Sequence, residues 1–148
     1  MKAVSRVNVI KGGETSILKF LQDSDDGYKG FGEVYFSRIG KGVDRGWKIH
    51  SEATCNIMVP FGLVLFCVAR YDFSEWLFVE LGGEPQERLT IEPKTWYRFI
   101  GNSSEVSIIA NVLDIKHRDE QLGKEQSGLM LNKPKAEVIW SNKTIRHS

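Results

Sequence analysis

The hexapeptide Arg45-Gly46-Trp47-Lys48-Ile49-His50 gathers an arginine, a lysine and a histidine within six residues. A guanidinium presents forked donors matched to phosphate oxygens and keeps its charge at any physiological pH. Arg45 is thus a candidate phosphate-binding residue, with a surface ion pair to Asp44 or Glu52 as the alternative. If residues 48 to 50 are extended, Lys48 and His50 point the same way, because side chains alternate along a strand. Imidazole titrates near neutrality and suits proton transfer. His50 is therefore either an acid/base in a cleft or a histidine hydrogen-bonded within the wall of the fold. An ordinary lysine has a pKa of about 10.4, and lowering it to about 7.5 takes roughly 4 kcal/mol of burial or like-charge repulsion. Arg45 acts in that direction, but the simpler expectation is a charged Lys48 paired with a carboxylate or a ligand phosphate. Tyr97, beside Trp96, can donate a proton or hydrogen bond, or form half core and half ligand platform. Arg70, Arg88 and Arg98 are candidates to complete a phosphate cluster, with Asn111 as a further polar contact to substrate.

Short runs rich in β-branched and aromatic residues must position these groups. Phe31 to Ser37 alternates, and Asn56 to Ala69 splits at Pro60-Phe61-Gly62 into two runs around a turn. Trp76 to Leu81, Arg88 to Ile91, Thr95 to Ile100 and Glu105 to Val112 follow with turn residues between them. That spacing belongs to an all-β sandwich or barrel. An eight-stranded jelly roll or small barrel solves the sheet-edge problem. An immunoglobulin pattern fails on the close spacing of Cys55 and Cys67, and an OB-fold would carry more cations on its binding face. Asp114 to Leu122 is the best helical stretch, 121–135 reads as a loop, Ala136 to Trp140 as a final strand, and 141–148 as a flexible tail.

With 148 residues, the chain is long enough for one domain with its own core. Its 41% hydrophobic and 26% charged residues exclude a disordered or fibrous class. Twenty basic against 19 acidic residues leave a net charge of +1, which provides no electrostatic footprint for nucleic acid or an anionic membrane. The N-terminus lacks a secretory apolar core, so the cysteines read as reduced thiols in a cytoplasmic protein. There is no Gly-x-Ser-x-Gly motif, and the glycines of Gly40 to Gly46 lack P-loop order.

From Gly32 to about Glu120 the sequence resembles the short form of the dTDP-4-dehydrorhamnose 3,5-epimerases and the related sugar-nucleotide 3,4-ketoisomerases. The matching stretches are Gly32 to Ser37, Arg45 to His50, Thr54 to Gly62, Arg88 to Phe99 and Ala110 to Glu120. The resemblance implies a cupin-type double-stranded β-helix, or jelly roll, acting on nucleotide sugars for bacterial surface polysaccharides such as O-antigen. It also implies a dTDP- or UDP-linked sugar as ligand and a homodimer joined through sheet edges and swapped N-terminal strands. In the resembled epimerases the motif is Arg-Gly-x-His, and Lys48 stands here in place of the histidine base. Their tyrosine acid, placed after the strand matching Glu105 to Val112, is replaced around Ile115 and Lys116. Standard 3,5-epimerisation is thereby put in doubt, leaving three readings. One is a binder of the nucleotide sugar, one an active epimerase or ketoisomerase using His50, Tyr97 or a neutral Lys48, and one a non-enzymatic structural cupin. Many cupins hold a metal on a His-x-His pair; with Lys48-Ile49-His50 in its place, neither metal nor other cofactor is expected. His117 reads as a solvated or loop-capping residue.

Overall fold

The computed structural model describes residues 3–116 and 133–144. Its strands in chain order are β1 (Val4–Arg6), β2 (Asn8–Gly12), β3 (Thr15–Lys19), β4 (Glu33–Ile39), β5 (Lys48–Ile49) and β6 (Cys55–Phe61). They continue with β7 (Val64–Ala69), β8 (Trp76–Leu81), β9 (Glu87–Ile91), β10 (Trp96–Gly101) and β11 (Ser107–Leu113), followed by helix α1 (Lys133–Thr144). One sheet has the order β1-β9-β6-β11-β4, the second β5-β10-β7-β8, and β2 with β3 forms a separate hairpin. The ladders joining these strands are antiparallel.

The two larger sheets pack face to face as a jelly roll around Ile57, Val59, Phe66, Val68, Leu89 and Leu113. Strands β6 and β7 read as nearly continuous apolar runs because both of their faces are covered. On the outer side of the first sheet, Met58 and Ala110 pack beneath Val9, Leu18 and Phe20 from the N-terminal region. On the outer side of the second, Leu65, Cys67 and Ile100 pack beneath Trp140 of α1. Strands β6 and β7 meet at Gly62, whose φ of 91° favours glycine and where a Cβ would collide with the Ser107 hydroxyl. Cys55 and Cys67 are buried and are not joined in a disulfide. Burial pushes the Cys67 thiol up to about 12.

The expected strands from Phe31 to Val112 form with boundaries shifted by no more than a few residues. Three expectations about the C-terminal region are corrected. Ala136 to Trp140 is helical rather than a strand, residues 133–135 of the expected loop begin that helix, and residues 141–144 of the expected tail continue it. So short a stretch fits either period, and here the face is set by Glu137, Trp140 and Thr144, spaced three and four apart. Pro134 stands in the first turn, where the N–H it lacks has no helical partner to lose. Asp114 to Lys116 are not helical; the rest of that stretch, with His117 and most of 121–135, lies outside the described residues.

Candidate functional site

Strand β10 is the pivot of the site. Its Tyr97 pairs with Val68 of β7 and with Lys48 of β5, so all three side chains share one face. That face looks into the sandwich, where Tyr97, Val68 and Phe66 are buried together. Phe99 follows two residues later on the same face, with its ring centroid 6.4 Å from that of Tyr97. The His50 ring lies nearly parallel to that of Tyr97 at 5.9 Å, and its Nε2 is 3.1 Å from the Tyr97 hydroxyl oxygen. The result is a column of rings, His50, Tyr97 and Phe99, and the Lys48 ammonium nitrogen sits 4.9 Å from the Phe99 centroid.

The expected carboxylate partner of Lys48 is absent among the described residues. Burial of the amine, and secondarily the charge of Arg45, hold its pKa below the ordinary lysine value. Arg45 itself is exposed. The loop that presents both residues is fixed at Asp44, whose carboxylate accepts the Gly46 N–H at 2.9 Å, and at Gly46, which has a φ of 80°. Main-chain pairing of Lys94 N–H with the His50 carbonyl at 2.8 Å ties the far end of the segment to the β9–β10 turn.

Asn111 also faces the interior, between Ile109 and Leu113 of the core. Its Nδ2 donates to the Tyr35 hydroxyl at 3.0 Å, whereas its buried Oδ1 has no hydrogen-bond partner among the described residues. A buried acceptor without a donor is costly, and a ligand hydroxyl or N–H would relieve it.

Two expected anion-binding arginines lie elsewhere. Arg98 neighbours Tyr97 in sequence and so faces outward. There its Nε contacts both Asp44 carboxylate oxygens at 3.0 Å, and its Nη1 donates to Glu137 at 2.8 Å. Trp47 and Trp140 flank its guanidinium at 5.8 and 5.2 Å. Trp140 donates to Asp44 at 2.9 Å, and Trp47 donates to Glu137 at 2.7 Å. Arg98 therefore fastens α1 to the sheet instead of reaching a ligand. Arg88 is likewise outward, bonded to the Phe20 carbonyl at 3.0 Å and to Asp25 at 2.9 Å. Arg70 is exposed and paired with Glu75 at 2.6 Å. It lines a cavity of about 400 Å³ together with Tyr71, Lys94, Thr95 and Val68. Val68 is the cross-strand partner of Tyr97.

Sequence reading missed Tyr35, Phe99 and the role of Asp44. Two-residue alternation from Tyr97 points to Phe99, but the pairing of Asn111 with Tyr35 depends on the register between β4 and β11. Among the described residues no three His, Cys, Asp or Glu side chains converge to hold a metal ion. No described helix is long and apolar enough to cross a membrane.

Solved structures with the same arrangement decide the fold. A dTDP-sugar isomerase from Desulfovibrio desulfuricans superposes with a TM-score of 0.73 at 23% identity, covering 86% of this chain and 87% of that one. A sugar 3,4-ketoisomerase from Thermoanaerobacterium thermosaccharolyticum, solved with TDP, gives 0.73 at 15% identity over 90% and 95%. A 3,5-epimerase from Legionella pneumophila, solved with dTDP-4-keto-L-rhamnose, gives 0.68 at 20% identity over 79% and 69%. The fold is that of the dTDP-sugar epimerases and isomerases. It is the cupin-type jelly roll that the sequence implies. No protein-family model matches the chain, and no curated protein matches it significantly.

Proposed function

We propose that this chain binds a nucleotide-linked sugar, dTDP- or UDP-linked, at the Lys48–Tyr97 face of its jelly roll, and that standard 3,5-epimerisation is not its reaction. One observation carries this reading. An ammonium, an imidazole and a phenol lie on one inward face, where a purely structural barrel would place apolar side chains. Neighbours of the same fold hold TDP and 4-keto sugar nucleotides, which supports the ligand class. Arg45, exposed beside Lys48, supplies the charge for the diphosphate, and Asn111 Oδ1 offers an acceptor to the sugar. The adjoining cavity is lined by Lys94, by Glu92 and by Arg70, which is already paired with Glu75.

The setting we infer is cytoplasmic synthesis of bacterial surface polysaccharide, with the chain acting as a homodimer. Val34 and Phe36 of edge strand β4 are 49% and 70% exposed on the outward face, and Phe61 is 51% exposed. They supply an apolar surface for a second copy.

The test is thermal denaturation with ligands. TDP raises the melting temperature and the free sugar does not. At 100 times the dissociation constant the gain is about 2.7 kcal/mol, several degrees for a domain of this size. The absence of a shift with any nucleoside diphosphate at millimolar concentration removes the reading.

A further inference from the structure

Lys48 occupies a setting that ordinary surface lysines lack. Its amine is half-buried, lies against the Phe99 ring, and has no carboxylate partner among the described residues. The neighbouring charge is the cation of Arg45, which repels a proton on Lys48. Across the ladder stands the Tyr97 hydroxyl, itself in contact with the His50 imidazole. Directly opposed residues on one face have Cβ atoms about 5 Å apart, so the two side chains rise from neighbouring points of the same inward face.

We propose that Lys48 is a nucleophile that forms an imine with the keto carbon of the bound sugar nucleotide. This rests on the ligand class proposed above, since it requires a carbonyl in the sugar.

A protonated amine has no lone pair to offer, and desolvation together with a like charge favours the neutral form that attacks. The amine nitrogen bonds to the carbonyl carbon while the C=O π pair moves to oxygen. One amine hydrogen is transferred to that oxygen, giving a carbinolamine. The second then leaves with the hydroxyl as water, and the nitrogen lone pair closes the C=N bond. The net change is amine plus ketone giving imine plus water, without oxidation or reduction. Tyr97 is the group placed to carry protons between nitrogen and oxygen, with His50 as its exchange partner. The open acceptor of Asn111 Oδ1 suits a sugar hydroxyl. An imine withdraws electrons from the adjacent C–H bonds, so Lys48 can activate the sugar in a different way from a base acting on carbon.

The experiment traps the imine. The full chain is incubated with TDP-4-keto-6-deoxyglucose and cyanoborohydride, which reduces the imine to a stable secondary amine, and is then analysed by intact mass and peptide mapping. The expected product carries the ligand mass less one oxygen on the peptide containing Lys48. Lys48→Arg abolishes the adduct, and Tyr97→Phe slows adduct formation. A chain that binds TDP yet gives no adduct, or gives one only on other lysines, overturns the imine and leaves the binding reading standing. If neither adduct nor TDP stabilisation is seen, both fall. Should Lys48→Arg fail to fold, excess TDP serves as the second control: it suppresses a Lys48 adduct formed in the site, and undiminished labelling contradicts the proposal.

Discussion

The imidazole Nε2 of His50 lies 3.1 Å from the hydroxyl of Tyr97, with the two rings nearly parallel at 11°. Both residues are buried, so the contact operates away from bulk water, where a hydrogen bond is electrostatically stronger. Removing the hydroxyl in Tyr97→Phe takes away that bond and leaves the stacking in place. The expected loss of stability is about 1 kcal/mol, measured by urea denaturation with an unchanged m-value. A loss below experimental error would mean that the contact is not formed in solution.

Arg98→Met leaves Asp44 and Glu137 without their cation and loosens α1 from the sheet. The cluster is mostly buried, so the expected cost is about 2 to 3 kcal/mol. A double-mutant cycle with Asp44→Asn should show strong coupling. Additive effects would contradict the fastening role.

Low pH tests the same cluster from the other side. Burial raises the Asp44 pKa, but hydrogen bonds from Arg98, Gly46 and Trp140 outweigh it and hold the value below the ordinary 3.8. A carboxyl group with a depressed folded pKa contributes stability that is complete above its unfolded pKa and lost as pH falls through the folded one. Asp44→Asn should therefore flatten the stability loss below about pH 4, as followed by the Trp140 environment in fluorescence.

Lys48 slopes the same way with pH, but here the charged form is the one that burial penalises. Its folded pKa is lowered, so the unfolded chain binds the proton more tightly and stability rises with pH from the folded value up to the ordinary 10.5. Lys48→Met should be more stable than the parent at neutral pH, with the difference shrinking toward pH 10. An equal advantage at every pH would show that packing, not desolvated charge, is responsible.

An ammonium where a metal-binding cupin places a ligand repels a divalent cation. Elemental analysis of the purified protein should find less than one transition metal per chain, and a chelator should leave its melting temperature unchanged. One tightly held ion per chain would contradict the role given to Lys48.

The strands between Phe31 and Val112 were legible because most are short β-branched or aromatic runs bounded by Gly, Pro, Asn or Asp. The hairpin β2–β3 was not, since Ile10 and Ile17 are exposed and its residues lack a sustained alternation of buried and solvated positions. The shared face of Lys48 and Tyr97 needed the register between β5 and β10, which no local pattern encodes. Arg98 shows the same limit in reverse. Its one-residue offset from Tyr97 puts it on the far side of the sheet, where Asp44 and α1 claim it.

The most direct test of the account is calorimetric titration of TDP into the parent chain and into Arg45→Met. The account predicts saturable one-to-one binding to the parent, weakened by added salt, and at least roughly tenfold weaker binding to the variant, equivalent to about 1.4 kcal/mol. Absence of heat in the parent, or equal affinity in both chains, would contradict the placement of the nucleotide beside Lys48.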